Sequence, residues 1–314
     1  MKKTLAFFTC SNGLGHFSRI LKISEYLQND FDITIYCEKF QHDKFNPKLN
    51  VSFEFYIMSN IRWDKTLLNN EVDFETYVKW CSIYGPKSLK YDIAVSDNIV
   101  GLLRYRKDII LSGSFLWKDI FEDKFKNNKL SSFDSELIEK FKPSILTNKY
   151  AEVGSLKEYS EKQQFGWGCK YIPPGYWGEG SNIVLGIPSL NYLPKYKKFM
   201  LDFEIYLKKN NIDFTWNVKK DRGTTFVIRP GVGMLTHCVE NNIPVIALYS
   251  EKDSVEIIEL ANKVEELGIG KKINIDSENI SFENLITYNS NDIYKKVTLE
   301  KEGYKKIADY LKKL

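Results

Sequence analysis

Little in this chain points to a metal, a disulfide framework or a membrane span. It has three histidines and five cysteines (Cys10, Cys37, Cys81, Cys169 and Cys238). Their spacing matches neither a zinc site nor a redox pair. The odd count and wide scatter of the cysteines imply reduced thiols, as in a cytosolic protein. Asp30-Phe31-Asp32 spells the acidic string of metal-dependent sugar transferases. However, it precedes a strand and so belongs to the amino end of a sheet, where it reads as a polar turn. We therefore expect no metal and no cofactor. Net charge is only +4, too small to mark a nucleic-acid partner. A mildly basic surface would still tolerate phosphorylated ligands or a peripheral contact with an anionic membrane face. No run is long and apolar enough to span a bilayer. The short apolar run Leu5 to Phe8 breaks at Ser11-Asn12-Gly13, so it reads as a strand and not as a signal peptide. Neither a solenoid repeat nor a low-complexity segment is present.

The chain does have length and periodicity. Its 314 residues are too many for one ordinary core and suit two domains. Apolar and polar stretches alternate between strand-like and helix-like periods. Strands are expected at Thr4–Thr9, 33–37, 51–58, 92–96, 108–112 and 145–148, with helices at 17–27, 71–84 and 134–141 between them. The strand at 145–148 is taken to close a first sheet. A second set follows: a strand at 182–185, a helix at 194–209, strands at 213–216, 225–228, 244–249 and 269–275, and helices running from the 229–233 turn to 242 and over 254–267. One or two further helices are expected in 291–314. Alternation of this kind implies parallel sheets covered on both faces. Between the two sets, 154–180 is rich in glycine and proline and breaks the pattern, and its end reads as the connection.

Two strand-to-helix turns stand out. The second runs Arg229-Pro230-Gly231-Val232-Gly233 between an apolar strand and a helix. Such a turn gathers free backbone N–H groups at a helix N-terminus, which favours a phosphate. The first runs Cys10-Ser11-Asn12-Gly13-Leu14-Gly15-His16. Each half of the chain thus carries a nucleotide-binding type of turn.

Taken together, NGLGHFSR (12–19), RPGVGMLTHCVENNIPVIAL (229–248) and EKDSVEI…LANKVEELGIG (251–270) resemble the GT-B glycosyltransferases. The likeness is strongest to the branch containing the lipid II N-acetylglucosaminyltransferase and the UDP-glycosyltransferases. The layout covers most of the chain and the specific motifs about a quarter. The resemblance implies an α/β fold of two Rossmann-like lobes with a cleft between them. It implies an acceptor lobe over 1–178, a donor lobe over 179–298 and a C-terminal helix, 299–314, returning to the first lobe. It implies metal-independent transfer of a sugar, with a UDP-sugar favoured, from a nucleotide-sugar donor to a hydroxyl acceptor. It leans toward surface polysaccharide synthesis in the cytoplasm at the inner membrane face. A nucleotide-sugar hydrolase or epimerase on the same fold, or a non-catalytic nucleotide-binding subunit, remain alternatives.

The same resemblance assigns roles. The N–H groups of Val232, Gly233 and Met234, with Gly231, would hold the donor diphosphate, and Ser189 would add a hydroxyl. Glu256 would touch the donor sugar. His237 falls where the lipid II enzyme carries a ribose-binding glutamate. An imidazole cannot make that bidentate contact, and packing between helix and sheet is the equal alternative. Arg229 has a choice between phosphate and a nearby carboxylate. Asn12, Gly13 and Gly15 would form the acceptor-side loop. His16 would be the general base, kept neutral by its helix N-terminus. From its own position, just after the strand at 92–96 and so at the ligand edge, Asp97 could orient His16, serve as base itself, or simply cap a turn. The aromatic loop Phe115-Leu116-Trp117-Lys118, with Lys124, Phe125 and Lys126, is read as partly buried, the alternative being a membrane or acceptor patch.

Overall fold

The computed structural model describes residues 1–61, 74–125, 128–168, 183–186, 194–216, 225–278, 280–286 and 298–314. The chain divides into two compact units, Met1–Pro173 with Glu300–Leu314, and Pro174–Leu299. The expected boundary at 178 lies outside the described residues.

The first unit is a seven-stranded parallel sheet. Its strands are β1 (Lys3–Phe8), β2 (Phe31–Cys37), β3 (Ser52–Phe55), β4 (Ile93–Ser96), β5 (Ile110–Ser112), β6 (Ile145–Asn148) and β7 (Lys162–Phe165), in the order β3-β2-β1-β4-β5-β6-β7. The helices are α1 (Gly15–Leu27), α2 (Lys39–Phe45), α3 (Phe74–Ser88), α4 (Trp117–Phe125) and α5 (Asn128–Phe141). β1 is short and buried because Leu5 to Phe8 are apolar on both faces, as a central parallel strand requires. α1 buries Phe17, Ile20, Leu21 and Leu27, the i, i+3, i+4 stripe of an amphipathic helix, against β1 and β2. The C-terminal helix, Gly303–Leu311, adds Tyr304, Ile307, Ala308 and Leu311 to this same core.

Two sequence expectations change here. The sheet does not end at β6: β7 pairs with it in parallel. Its sequence, Lys-Gln-Gln-Phe, lacks an apolar run because an edge strand need not be buried on both faces. Trp117 and Lys118 open a helix and do not sit in a loop. Phe115, Leu116 and Trp117 are core residues. Lys126 lies outside the described residues.

The second unit is a five-stranded parallel sheet, β8 (Ile183–Gly186), β9 (Phe214–Thr215), β10 (Thr225–Ile228), β11 (Val245–Tyr249) and β12 (Gly270–Asn274), in the order β12-β11-β10-β8-β9. Its helices are α6 (Pro194–Lys209), α7 (Val232–Glu240), α8 (Val255–Glu266) and the short α9 (Phe282–Ile286). Phe199, Met200 and Phe203 of α6 pack on Leu185, Val227 and Leu248 of the sheet. The C-terminal helix, α10 (Gly303–Leu311), has already been placed with the first unit. Among the described residues no helix is long and apolar enough to cross a membrane.

Candidate functional site

In an open parallel sheet, ligands collect at the carboxyl ends of the strands where the strand order reverses. In the first unit the chain moves outward from β1 through β2 to β3, then returns to lay β4 on the other side of β1. The reversal is therefore between β1 and β4, and the two sequence candidates of this unit meet there.

The loop after β1 is tied down by side chains from elsewhere. Gln41 donates its amide to the carbonyls of Cys10 and Gly13, at 2.9 and 2.8 Å. Asn60 accepts from the Ser11 N–H at 2.8 Å and donates to the Thr9 carbonyl at 3.1 Å. Gly13 takes a left-handed backbone, φ 73°, which lets the chain turn from β1 into α1 without steric strain. His16 thus sits in the first turn of α1, 16% exposed, with Nδ1 2.9 Å from Oδ2 of Asp97. Asp97 follows β4 directly. Its N–H donates to the Phe8 carbonyl at 2.8 Å, and its carboxylate is completely buried.

Two further groups meet that carboxylate. The Cys10 N–H donates to Oδ2 at 3.3 Å. Arg19, one turn beyond His16 on α1, donates from Nη2 to Oδ1 and also to the Ser112 carbonyl at the end of β5, the latter at 3.1 Å. Burial opposes the charged form of Asp97, but the nearby Arg19 and His16 outweigh it and hold the carboxyl down at about 2. The imidazole is walled by Phe115 and Trp117, with ring centroids 6.3 and 6.2 Å away. Nδ1 is thus the ring nitrogen beside Asp97, and Nε2 is the other one.

In the second unit the order reverses between β8 and β10. The loop after β8, which carries Ser189, lies outside the described residues. After β10 come Arg229, Pro230 and Gly231, and α7 begins at Val232 with Gly231 as an extended N-cap. Met234 and Leu235 both donate to the Gly231 carbonyl, at 3.0 Å. The Met234 amide is thereby spent inside the helix. Val232 and Gly233 are the first-turn amides that have no intrahelical acceptor by geometry.

The remaining candidates are placed as follows. Arg229 turns away from this amide pair onto a carboxylate, donating from Nε and Nη2 to Oδ1 of Asp253 at 3.1 and 2.9 Å. Asp253 also accepts from the Tyr196 hydroxyl and from the Ser250 N–H, the latter at 2.8 Å. His237 is buried, its ring 5.6 Å from that of Phe226 on β10 and its Nδ1 3.3 Å from the Asn241 amide. Glu256 is half-buried in the first turn of α8. Asp30, in the acidic string, pairs with Lys312 at 2.9 Å and stands at the amino end of β2. Sequence reasoning missed Arg19, Gln41, Asn60 and Asp253. For Arg19 there was a usable signal, since it lies three residues after His16 on one helix face.

No known family pattern and no curated relative matches this chain. Among solved structures it is similar to the glycotransferase of kitacinnamycin, at TM-score 0.63 and 12% identity over 99% of this chain and 98% of that one. It is also similar to CalG4, the calicheamicin glycosyltransferase, at TM-score 0.59 and 12% identity over 100% and 98%. A third likeness is to Arabidopsis thaliana UGT89C1 complexed with UDP-L-rhamnose, at TM-score 0.59 and 10% identity over 100% and 93%. At these identities the likeness establishes the fold: the chain has the GT-B fold, two Rossmann-like α/β lobes.

Proposed function

We propose that this chain is a glycosyltransferase that moves a sugar from a nucleotide-sugar donor to a hydroxyl acceptor. The observation that carries the reading is the His16–Asp97 pair at the β1/β4 reversal point of a GT-B fold. Asp97 holds the imidazole by Nδ1, and Nε2 takes the proton of the acceptor hydroxyl. The acceptor oxygen then attacks the anomeric carbon, and the bond from that carbon to the donor diphosphate breaks with its electron pair going to the phosphate oxygen. The Val232 and Gly233 amides at the N-terminus of α7 stabilise the departing charge, with Ser189 as a further donor. Glu256 holds donor hydroxyls. Arg229 acts through Asp253, as a brace of the loop and not as a phosphate ligand. The UDP-L-rhamnose in a similar structure makes UDP-sugars the first donor class to test. The acceptor is a glycan, lipid-linked or other hydroxyl compound, and surface polysaccharide synthesis is the setting we favour.

The test is thermal unfolding against UDP, CDP, CMP, GDP, dTDP and their sugars, with and without chelator. A donor at 100 times its Kd stabilises the native state by about 2.7 kcal/mol. Turnover follows with the donor identified. His16→Ala should abolish most transfer while leaving the donor-induced rise in Tm intact. Loss of both together would refute His16 as the base. The same dyad would activate water equally well, so release of free sugar without acceptor, as fast as any transfer, would reassign the chain as a hydrolase. Epimerisation of the donor sugar would likewise displace the transferase reading, and a panel without any shift would favour a non-catalytic subunit.

A further inference from the structure

Arg19 has no place in the role just assigned to His16 and Asp97, yet it is the Asp97 partner that most changes the chemistry. Its side chain is 11% exposed and that of Asp97 is fully buried. The guanidinium touches Asp97 Oδ1 and the Ser112 carbonyl through the single nitrogen Nη2, and its Nε is buried with no acceptor among the described residues. An isolated carboxylate beside a histidine pulls a proton onto the ring, because protonation takes the buried pair from one negative charge to none. Here Asp97 and Arg19 already sum to zero. Protonating His16 therefore leaves a net positive charge in a largely buried cluster, which is disfavoured. The other groups around the cluster do not alter this balance. Cys10, after β1, has its thiol raised well above its usual range by burial and then by Asp97, so it is uncharged. Tyr304 of α10 exerts an electrostatic influence on Arg19 that favours the charged guanidinium. Phe115 and Trp117 carry no charge.

We propose that Arg19 is a positioning residue that neutralises Asp97, so that Asp97 orients His16 without drawing a proton onto it and the imidazole stays free to accept one. This rests on His16 acting as a base, as proposed above, but its test does not need activity. Because one nitrogen makes both contacts, a lysine ammonium can replace the guanidinium, which it cannot do at a bidentate site.

The experiment is a pH titration of the 15N-histidine-labelled chain, following imidazole resonances by NMR from pH 5 to 9. His16 is assigned by its loss in His16→Gln, with His42 and His237 as internal references. Arg19→Met should raise the His16 midpoint by about one to two pH units. Arg19→Lys should leave it within about 0.3 pH units of the parent, a margin small against the shift a neighbouring charge produces. Should Arg19→Met fail to fold, Arg19→Gln, which keeps a donor for the Ser112 carbonyl, carries the same expected rise. A folded, uncharged variant whose His16 midpoint does not move, or an Arg19→Lys chain that moves as far as Arg19→Met, overturns the proposal. Either result leaves the donor panel to decide the transferase reading independently.

Discussion

Asp134 should make the first unit less stable as pH rises, and the structure sets the size of the effect. The carboxyl lies on α5 with no exposed surface. Oδ1 accepts from the Tyr77 hydroxyl at 3.1 Å, while Oδ2 is buried without a partner among the described residues. Burial is the dominant influence, only partly opposed by Tyr77 and by Lys118, and it pushes the carboxyl up to about 8. The folded chain therefore keeps this proton to about pH 8, whereas the unfolded chain releases it near the ordinary value of about 3.9. Stability from this group is complete below about pH 4 and is lost progressively as pH rises to about 8. The separation is about four pH units, and at 1.36 kcal/mol each the ceiling is about 5 kcal/mol. Asp134→Asn removes the titration and keeps an acceptor for Tyr77. In urea unfolding, the stability of the variant relative to the parent should rise by at least about 2 kcal/mol between pH 5 and pH 9. Parallel stability curves from pH 5 to 9 would refute the reasoning. The site bears on function through packing, since Tyr77 meets Phe121, Phe121 meets Trp117, and Trp117 faces the His16 ring.

Two other substitutions follow from the same structure. Asp97→Asn leaves Arg19 buried without its counter-charge and should cost about 3 to 5 kcal/mol at pH 7 by chemical unfolding. Because the Asp97 carboxyl is depressed, its contribution is present above about pH 4 and lost as pH falls toward 2, so the deficit should narrow in acid. Gly303→Ala would set a methyl group 2.0 Å from the Gly166 carbonyl oxygen and 2.7 Å from its carbon. Backbone cannot yield cheaply, so we expect a loss of about 2 kcal/mol or more and faster amide exchange in α1, against which α10 packs.

The elements with a strong internal period were legible. The helix 194–209 and the strands 145–148 and 225–228 agree with the structure residue for residue. What failed were elements without an apolar period of their own. β7 is Lys-Gln-Gln-Phe and becomes a strand only because β6 offers it an edge. α2 has only Gln41 buried, and its stability comes from the Glu38–Gln41 capping box, with the Glu38 N–H donating to the Gln41 side chain at 3.0 Å. Gly166 and Gly168 fall in the glycine-rich stretch 154–180, which in sequence only breaks the strand–helix pattern. In the structure they are instead places where the C-terminal segment comes too close for a side chain, at Glu300 and Tyr304.

The candidate site was legible to the degree that it depends on position along one strand-to-helix turn. His16 and Asp97 each follow a strand, so topology alone brings them to one edge once β1 and β4 are neighbours. That adjacency is a property of strand order, which no local pattern states. The support for the pair is less local still. Gln41 and Asn60 reach back to the β1 loop from elements that share no motif with it, and Arg19 acquires its role only when β4 and β5 supply Asp97 and Ser112. Arg229 shows the converse. Next to a glycine turn at a helix start it could pair with a phosphate or with a carboxylate, and a carboxylate placed 24 residues later claims it. A cation beside an anion-binding turn is thus free for a ligand only if the next strand-to-helix connection brings no acid to it. Here that connection brings Asp253, and the Arg229–Asp253 pair ties the end of β10 to the connection that follows β11.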